Sequence, residues 1–403
     1  MIKWIFLIRG STIMNEEFRS YFKTIFIMKN IIYLAIIFAS LLSVSCHDSN
    51  QKDAKTVIPI QTNKTSDYKD IFSRQEIIGL SNNNDSYMAK LDKFQVYDNY
   101  FVFRDNKDII YVFNKDGTFI SNSKNVQGKG KGEYYICLAY SYNKYSHNIE
   151  IVVPDGIMIY DMNFHFIRKN RFSSKKMESC MFNYIYDLGI DRHLLFCPQE
   201  NTDGSKYYVY DSKLKKLILS KEYPIECKYI TMQEQYISND NFIAFPCMNY
   251  TFYEINTDDY EYNAFVTFDF GDRKLQEDEY NDRRTKDRIQ SDLIKSTKSL
   301  PLRTFRSGNM IAMLIKEGPM RKDFKTSFIN IKTKEYKILK NEDGNKKFPM
   351  MDFFADGIVY ACVSAEELSS YIDESLLDAK SKVTYESRSE DSNYYVLKYY
   401  LKP

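Results

Sequence analysis

The side chain whose surroundings say most about chemistry is the Cys46 thiol. It closes a run that starts at Met28-Lys29-Asn30, continues through an almost unbroken apolar stretch from Ile31 to Leu42, and passes the small residues Ser43 and Ser45. A positive start, an apolar middle and small residues at a cut site are the order of a cleavable secretory signal. A cysteine at the cut offers its sulfur to a lipid. Residues 1–46 therefore read as leader and signal, with Met28 the expected start of translation and Cys46 the expected lipidation site. Ser43 stands where the strict lipidation motif has leucine, and Leu42 lies one place earlier. Phe26 to Val44 approaches the ~20 apolar residues of a spanning helix, but the polar stretch His47 to Lys55 behind the cysteine favours cleavage. The expected address is the cell envelope, on a lipid anchor in the outer membrane, facing the periplasm or the surface.

Beyond the leader, groups that could do chemistry are sparse. His147, His165 and His193 are widely spaced, and a zinc site needs three or four converging ligands. No metal and no cofactor is expected. Asp155, Asp191 and Asp240 fall where turns are expected, and aspartate fits turn geometry for its own reasons. General acid–base work needs two groups at a set separation, and no Gly-x-Ser-x-Gly elbow is present. The loop Gly128-x-Gly130-x-Gly132 carries Lys129 and Lys131, yet a phosphate loop needs a helix behind it. Strands follow here, so these glycines read as a tight connection. Cys137, Cys180, Cys197, Cys227, Cys247 and Cys362 are scattered singly, as in Tyr135-Ile136-Cys137-Leu138. An even number outside the cytoplasm permits disulfides, but lone cysteines in apolar runs read as small buried hydrophobes.

The elements that must position these groups come from composition and repetition. The 403 residues carry 56 Lys+Arg against 54 Asp+Glu, so no basic field exists to hold a nucleic acid. With 34 Tyr and 28 Phe against 14 Gly and 9 Pro, the composition favours strands with broad aromatic faces. Residues 47–70 are polar and read as a flexible tether. From there one unit recurs: Ile109 to Phe113, the turn Asn114-Lys115-Asp116-Gly117, then Thr118 to Ile120. Gly156 to Tyr160, Lys206 to Tyr210, Thr251 to Ile255 and Ser327 to Ile331 each lead into a turn and a returning strand, and Tyr394 to Tyr400 is a final strand without a return. A strand pair precedes each, as in Phe94 to Tyr97 with Tyr100 to Arg104. Four antiparallel strands repeating every ~45–50 residues are propeller blades. Phe113, Tyr160, Tyr210, Ile255, Ile331 and Leu397 mark six of them. The expected fold is all-β, a single six-bladed β-propeller over residues 71–403. Helical insertions are expected at about residues 272–299 and from Ser364 to Ala379. The ring should close by pairing Arg74 to Leu80 beside Tyr394 to Leu401.

These features together resemble the six-bladed β-propeller lipoproteins of Bacteroidetes, relatives of the NHL-repeat propellers. The order of signal, polar segment and Ile71 to Leu80 carries the resemblance. So do the first blade ending Tyr111 to Ile120 and the loop Gln127 to Tyr134, where Lys131 replaces the family's usual proline. The resemblance implies a fold and a cell-envelope address, and no established reaction. Two functional classes follow. The first is a monomeric, non-catalytic module binding a protein, peptide or glycan. The second is a propeller enzyme of the lyase, lactonase or glycosidase type, with its site at the axial channel. The poverty of histidine favours the first.

Overall fold

The structure is a computed structural model. It describes residues 56–173, 175–197, 206–222, 236–237, 242–244, 250–256, 258–275, 297–317, 324–343 and 346–403. Two strands precede the blades, β1 (Thr56–Pro59) and β2 (Phe72–Gly79). Blade 1 is β3 (Leu91–Val96), β4 (Tyr100–Asp105), β5 (Ile110–Asn114) and β6 (Phe119–Asn122). Blade 2 is β7 (Ala139–Asn143), β8 (Asn148–Val153), β9 (Gly156–Tyr160) and β10 (Phe166–Arg171). Blade 3 is β11 (Tyr184–Asp187), β12 (Arg192–Cys197), β13 (Lys206–Asp211) and β14 (Lys216–Glu222). Blade 4 is β15 (Tyr236–Ile237), β16 (Phe242–Ala244), β17 (Thr251–Asn256) and β18 (Tyr262–Asp269). Blade 5 is β19 (Leu300–Ser307), β20 (Met310–Lys316), β21 (Phe324–Asn330) and β22 (Tyr336–Lys340). A small ribbon, β23 (Glu342–Asp343) with β24 (Lys346–Lys347), leads to blade 6: β25 (Phe353–Ala355), β26 (Ile358–Val363) and β27 (Tyr395–Leu401). Within each blade neighbouring strands pair antiparallel, so the expected six-bladed propeller is the fold found.

Local chemistry explains why the chain turns where it does. Asp161, Asp211, Asn256 and Asn330 each end or directly follow the third strand of a blade. Their Oδ1 atoms accept turn amides from Asn163, Leu214, Asp258 and Lys332 at 2.8, 2.8, 2.8 and 3.0 Å. An Asx turn of this kind reverses the chain without help from elsewhere. In blade 1 the turn ends on Gly117 at φ +91°, where a Cβ would stand 2.2 Å from the Gly79 carbonyl oxygen. Only glycine lets blade 1 approach the end of β2 so closely.

Third strands are buried on both faces, and alternate residues serve alternate interfaces. Met158 and Tyr160 of β9 pack with Val102, Ile110 and Val112 of blade 1. Ile157 and Ile159 pack with Leu195, Cys197, Tyr208 and Tyr210 of blade 3. Phe101, Phe103 and Phe113 of blade 1 meet Tyr360 and Val396 of blade 6. Each such aliphatic or aromatic side chain contributes about 1.5–3 kcal/mol by leaving water. Cys137, Cys180 and Cys197 are buried and Cys362 is half-buried, all as free thiols. Cys227 and Cys247 lie outside the described residues.

Closure follows the expected route. β2 pairs with β27 from Phe72↔Leu401 to Gly79↔Tyr395, supplying blade 6 with its outer strand. The free edge of β2 is then covered. Ser381 Oγ accepts the Ile77 amide at 2.9 Å, and the fully buried Gln75 side chain bonds the backbone of Tyr371 and Asp373 at 3.0 Å each. The covering segment differs from the helix expected at Ser364 to Ala379. It forms two 3-10 turns, Leu368–Tyr371 and Glu374–Leu376, followed by the α-helix Ala379–Glu386. The cause is capping: Asp373 takes the Ser375 amide at 3.1 Å and Asp378 the Ser381 amide at 2.7 Å, so the run restarts twice.

Residues 56–70 are not a tether. β1 adds to blade 4 as a fifth strand, parallel to β18 from Thr56↔Val266 to Pro59↔Asp269, and Ile58 and Ile60 are buried in the core. The signal was the apolar Val57-Ile58-Pro59-Ile60 inside a polar stretch, which satisfies an otherwise open sheet edge. The chain then crosses blade 5, where the Ser66 amide donates to Ile338 O at 2.7 Å. The expected leader, residues 47–55 and most of the insertion at 272–299 lie outside the described residues. The ends of that insertion meet, with the Ser299 amide 2.9 Å from Arg273 O. Among the described residues no helix is long and apolar enough to cross a membrane.

Glu317 pins this crossing. Its Oε1 accepts from Arg273 Nη1 at 2.7 Å and Ser299 Oγ at 2.9 Å, and its Oε2 from Lys325 Nζ. Lys325 Nζ also donates to Thr62 O at 2.7 Å. Burial pushes the carboxyl up, but hydrogen bonds from Lys325, Thr62 and Arg273 outweigh it and hold it at about 2, below its ordinary 4.5. A folded value below the unfolded one stabilises the protein above pH 4.5, and that share is lost as pH falls towards 2. Glu317→Gln should therefore cost about 1–3 kcal/mol at neutral pH. In thermal melts across pH 2–7 the gap to wild type should close towards the acid end; a constant gap would contradict the assignment. Truncation after Asn393 removes β27 from between β26 and β2. It should lower the melting midpoint by on the order of 10 °C or abolish the cooperative transition. An unchanged single transition would reject closure by these strands.

Candidate functional site

The first strands of the blades face the propeller axis. β7 contacts β11, β15 contacts β19, β19 contacts β25 and β25 contacts β3 around it. At one end, β3, β7, β11 and β25 enclose a cavity of about 280 Å³. Tyr97, Tyr142, Tyr184, Tyr186 and Phe353 form its aromatic walls, and Asp98, Asn99, Lys144 and His147 from the hairpin turns add polar groups. The walls are braced. Tyr97 Oη donates to Gln95 Oε1 at 2.6 Å and accepts the Tyr142 amide at 2.9 Å. Tyr142 Oη lies 2.8 Å from His147 Nδ1, and the Tyr97 and Tyr142 rings meet edge-on at 5.3 Å. Burial raises the Tyr97 phenol well above its ordinary value, so it stays neutral at physiological pH. Further along the axis, Lys93 Nζ donates to Asn183 O at 3.0 Å, joining blade 1 to blade 3; burial and then the Arg104 charge bring its amine down to about 8.

Behind the cavity wall, between blades 2 and 3, the apolar packing gives way to a buried polar cluster. β8 presents Glu150 on the face it shares with Val152, β11 presents Asp187 in phase with Ile185, and β12 presents His193 in phase with Leu195. His193 Nδ1 is 3.1 Å from Glu150 Oε2 and 3.3 Å from Asp187 Oδ1, while its Nε2 is 3.2 Å from Ser212 Oγ. Asn143 Nδ2 donates to Glu150 Oε1 at 3.1 Å, and Ser141 Oγ to Asp187 Oδ1 at 3.3 Å. Burial first, and the Asp187 charge second, push the Glu150 carboxyl well above the usual carboxylate range. Asp187 also lines the axial cavity, so the cluster and the cavity share a wall.

The residues singled out in the sequence land as follows. His147 reaches the cavity from the β7–β8 turn at φ +57°, a left-handed conformation that histidine adopts more readily than most residues. His165 is an exposed residue of the β9–β10 turn and bonds Asp161 Oδ2 at 2.8 Å. Asp155 pairs with Lys169 at 2.5 Å and Arg171 at 3.1 Å, and Asp191 with Arg168 at 2.5 Å; these are turn carboxylates held by cations, apart from the cavity. The glycine loop connects blade 1 to blade 2, and two of its glycine amides are taken internally: Gly128 donates to Tyr134 O at 2.8 Å and Gly130 to Glu133 Oε2 at 2.8 Å. A carboxylate therefore occupies the cradle a phosphate would need. Cys46 and Asp240 lie outside the described residues. Glu150 and Asp187 were not singled out. The visible signal for Glu150 was a carboxylate interrupting the apolar run Ile149 to Val153; for Asp187 only the fold supplies one.

The sequence profile of a domain of unknown function, DUF4934, matches residues 55–400. The chain belongs to the DUF4934 family. No curated protein matches it. Among solved structures it is similar to a Bacteroides fragilis protein whose name marks it as a candidate for export. The TM-score is 0.62 at 16% identity, over 86% of this chain and 99% of that one. It is also similar to a member of the DUF4221 family from Bacteroides vulgatus, with a TM-score of 0.50 at 11% identity over 85% of this chain and 99% of that one. At these identities the likeness is one of fold.

Proposed function

We propose that this DUF4934 propeller is a non-catalytic binding module of the cell envelope that holds a short glycan or peptide at the axial cavity. One observation carries the reading: a cavity of about 280 Å³ at the propeller axis combines tyrosine walls with polar groups from two hairpin turns. Ligand sites are concave, largely apolar and fitted with a few orienting polar groups. Tyrosine rings offer flat faces to sugar rings or peptide side chains, and Asp98, Asn99 and Lys144 can orient hydroxyls, amides or a terminal charge. The braced Tyr97–Tyr142–His147 chain keeps the walls fixed, which limits the ordering cost of binding. Glycan and peptide arrays probed with purified protein are the test. Tyr186→Ala and Asp98→Ala should each weaken a captured ligand about tenfold or more, with Asp98→Ala leaving the melting midpoint unchanged. Binding insensitive to both substitutions, or turnover of a sugar or lactone by the protein, would overturn the reading.

The proposed address rests on the Cys46 signal and is supported by the export-candidate neighbour from Bacteroides. The chain is then a lipoprotein anchored through Cys46, in keeping with its resemblance to NHL-like lipoprotein propellers. Cys46→Ala should move the protein from the membrane fraction to the soluble or culture fraction and abolish acyl labelling. Unchanged fractionation and labelling would remove the anchor from the proposal.

A further inference from the structure

We infer that Glu150, Asp187 and His193 form a binding site for one divalent metal ion of the zinc class, built into the interface of blades 2 and 3. The donor atoms of all three lie within 4.8 Å of one another and all three residues are buried. The separations fit an ion. Donors 3.1 and 3.3 Å apart that share an ion at roughly 2.1 Å would subtend about 95–105° at it, within the range of tetrahedral and octahedral sites.

A second observation points the same way. Glu150 is fully buried, and its Oε2, aimed at His193, makes no well-formed hydrogen bond. A buried carboxylate oxygen without a hydrogen bond is costly, and a cation between the three groups removes that cost. The surrounding contacts have the form of an outer shell around a metal site. Ser212 holds His193 Nε2 and so leaves Nδ1 towards the carboxylates; Asn143 holds Glu150 Oε1 and so leaves Oε2. Ser141 steadies Asp187 from the cavity side. Outer partners of this kind fix the tautomer and orientation of metal ligands. Two carboxylates and one imidazole bring two negative charges to a divalent ion, and the imidazole favours zinc-class ions over calcium or magnesium. Asp187 borders the axial cavity, which gives the ion its way in.

The test uses the whole mature chain, stripped with a chelator and re-dialysed. Isothermal titration with ZnCl2, MnCl2 and CaCl2, read beside thermal melts, should show about one Zn2+ equivalent bound with a rise in melting midpoint, and little response to Ca2+. Glu150→Gln and His193→Gln should lose at least 100-fold in Zn2+ affinity and most of the rise. Should either variant fail to fold, Ser212→Ala retains all three ligands and should weaken Zn2+ by about 10- to 100-fold. Failure of wild type to bind Zn2+ stoichiometrically would overturn the inference. So would equal binding by the variants, which would place the ion at other thiols or histidines. Neither outcome bears on ligand capture in the cavity, which the arrays test separately.

Discussion

The pairing of β2 with β27 is the contact that closes the ring. A blade is apolar on both faces, so each needs a neighbour on either side. In an open array two blades would expose one face each, and the last sheet would also present an unpaired edge. Joining Phe72–Gly79 to Tyr395–Leu401 removes these penalties in one step. The pairing also ties the segment before blade 1 to the last strand of the chain, so that opening blade 6 means separating elements more than 300 residues apart in sequence. The remaining edge of β2 is blunted by Ser381 and Gln75 rather than left open.

The axial cavity inherits its geometry from that closure. Its walls come from the innermost strands of four blades, and closure sets the last of them in place: β25 of the last blade lies beside β3 of the first. Phe353 of the last blade and Tyr97 of the first line one cavity because the ring is closed. The segment 56–71 acts on the other side of the molecule, adding β1 to blade 4, crossing blade 5 through Thr62 and Ser66, and delivering the chain to β2. It straps three consecutive blades at their outer rim, and the Glu317 network fastens the middle of the strap.

Much of this architecture was legible in the sequence because propellers are built from local signals. Asn114-Lys115-Asp116-Gly117 and its counterparts make turns from their own side chains, and strands such as Ile110–Asn114 and Gly156–Tyr160 are apolar at every position that meets a neighbouring blade. Closure was legible for a different reason: the last strand, Tyr394 to Tyr400, had no returning partner. The strand β1 was missed because four residues in a polar stretch carry no period. The buried cluster was missed because spacing along the chain is the wrong coordinate. Glu150 and His193 sit on strands of different blades, and metal-ligand spacing rules describe ligands on one turn or one helix face.

Comparing blades places that cluster among its counterparts. Counting back from the third-strand turn, the register that pairs Val102 with Val112 in blade 1 sets Glu150 at the corresponding place in blade 2, and Leu194 and Ala312 in blades 3 and 5. The position of His193 is held by Phe101 in blade 1, Ile149 in blade 2 and Ile311 in blade 5. All of these apolar counterparts are fully buried. Apolar residues at those places would pack blade 2 on blade 3 as they pack the other blades, and replacing a buried ionic group by well-packed apolar side chains is often neutral or stabilising. The interface nevertheless carries a carboxylate on one strand and an imidazole on the facing one, each with a dedicated polar partner in Asn143 or Ser212. Packing alone does not account for two complementary departures at one interface. A bound charge between them does, and it would add a ligand to the apolar contacts that join blades 2 and 3.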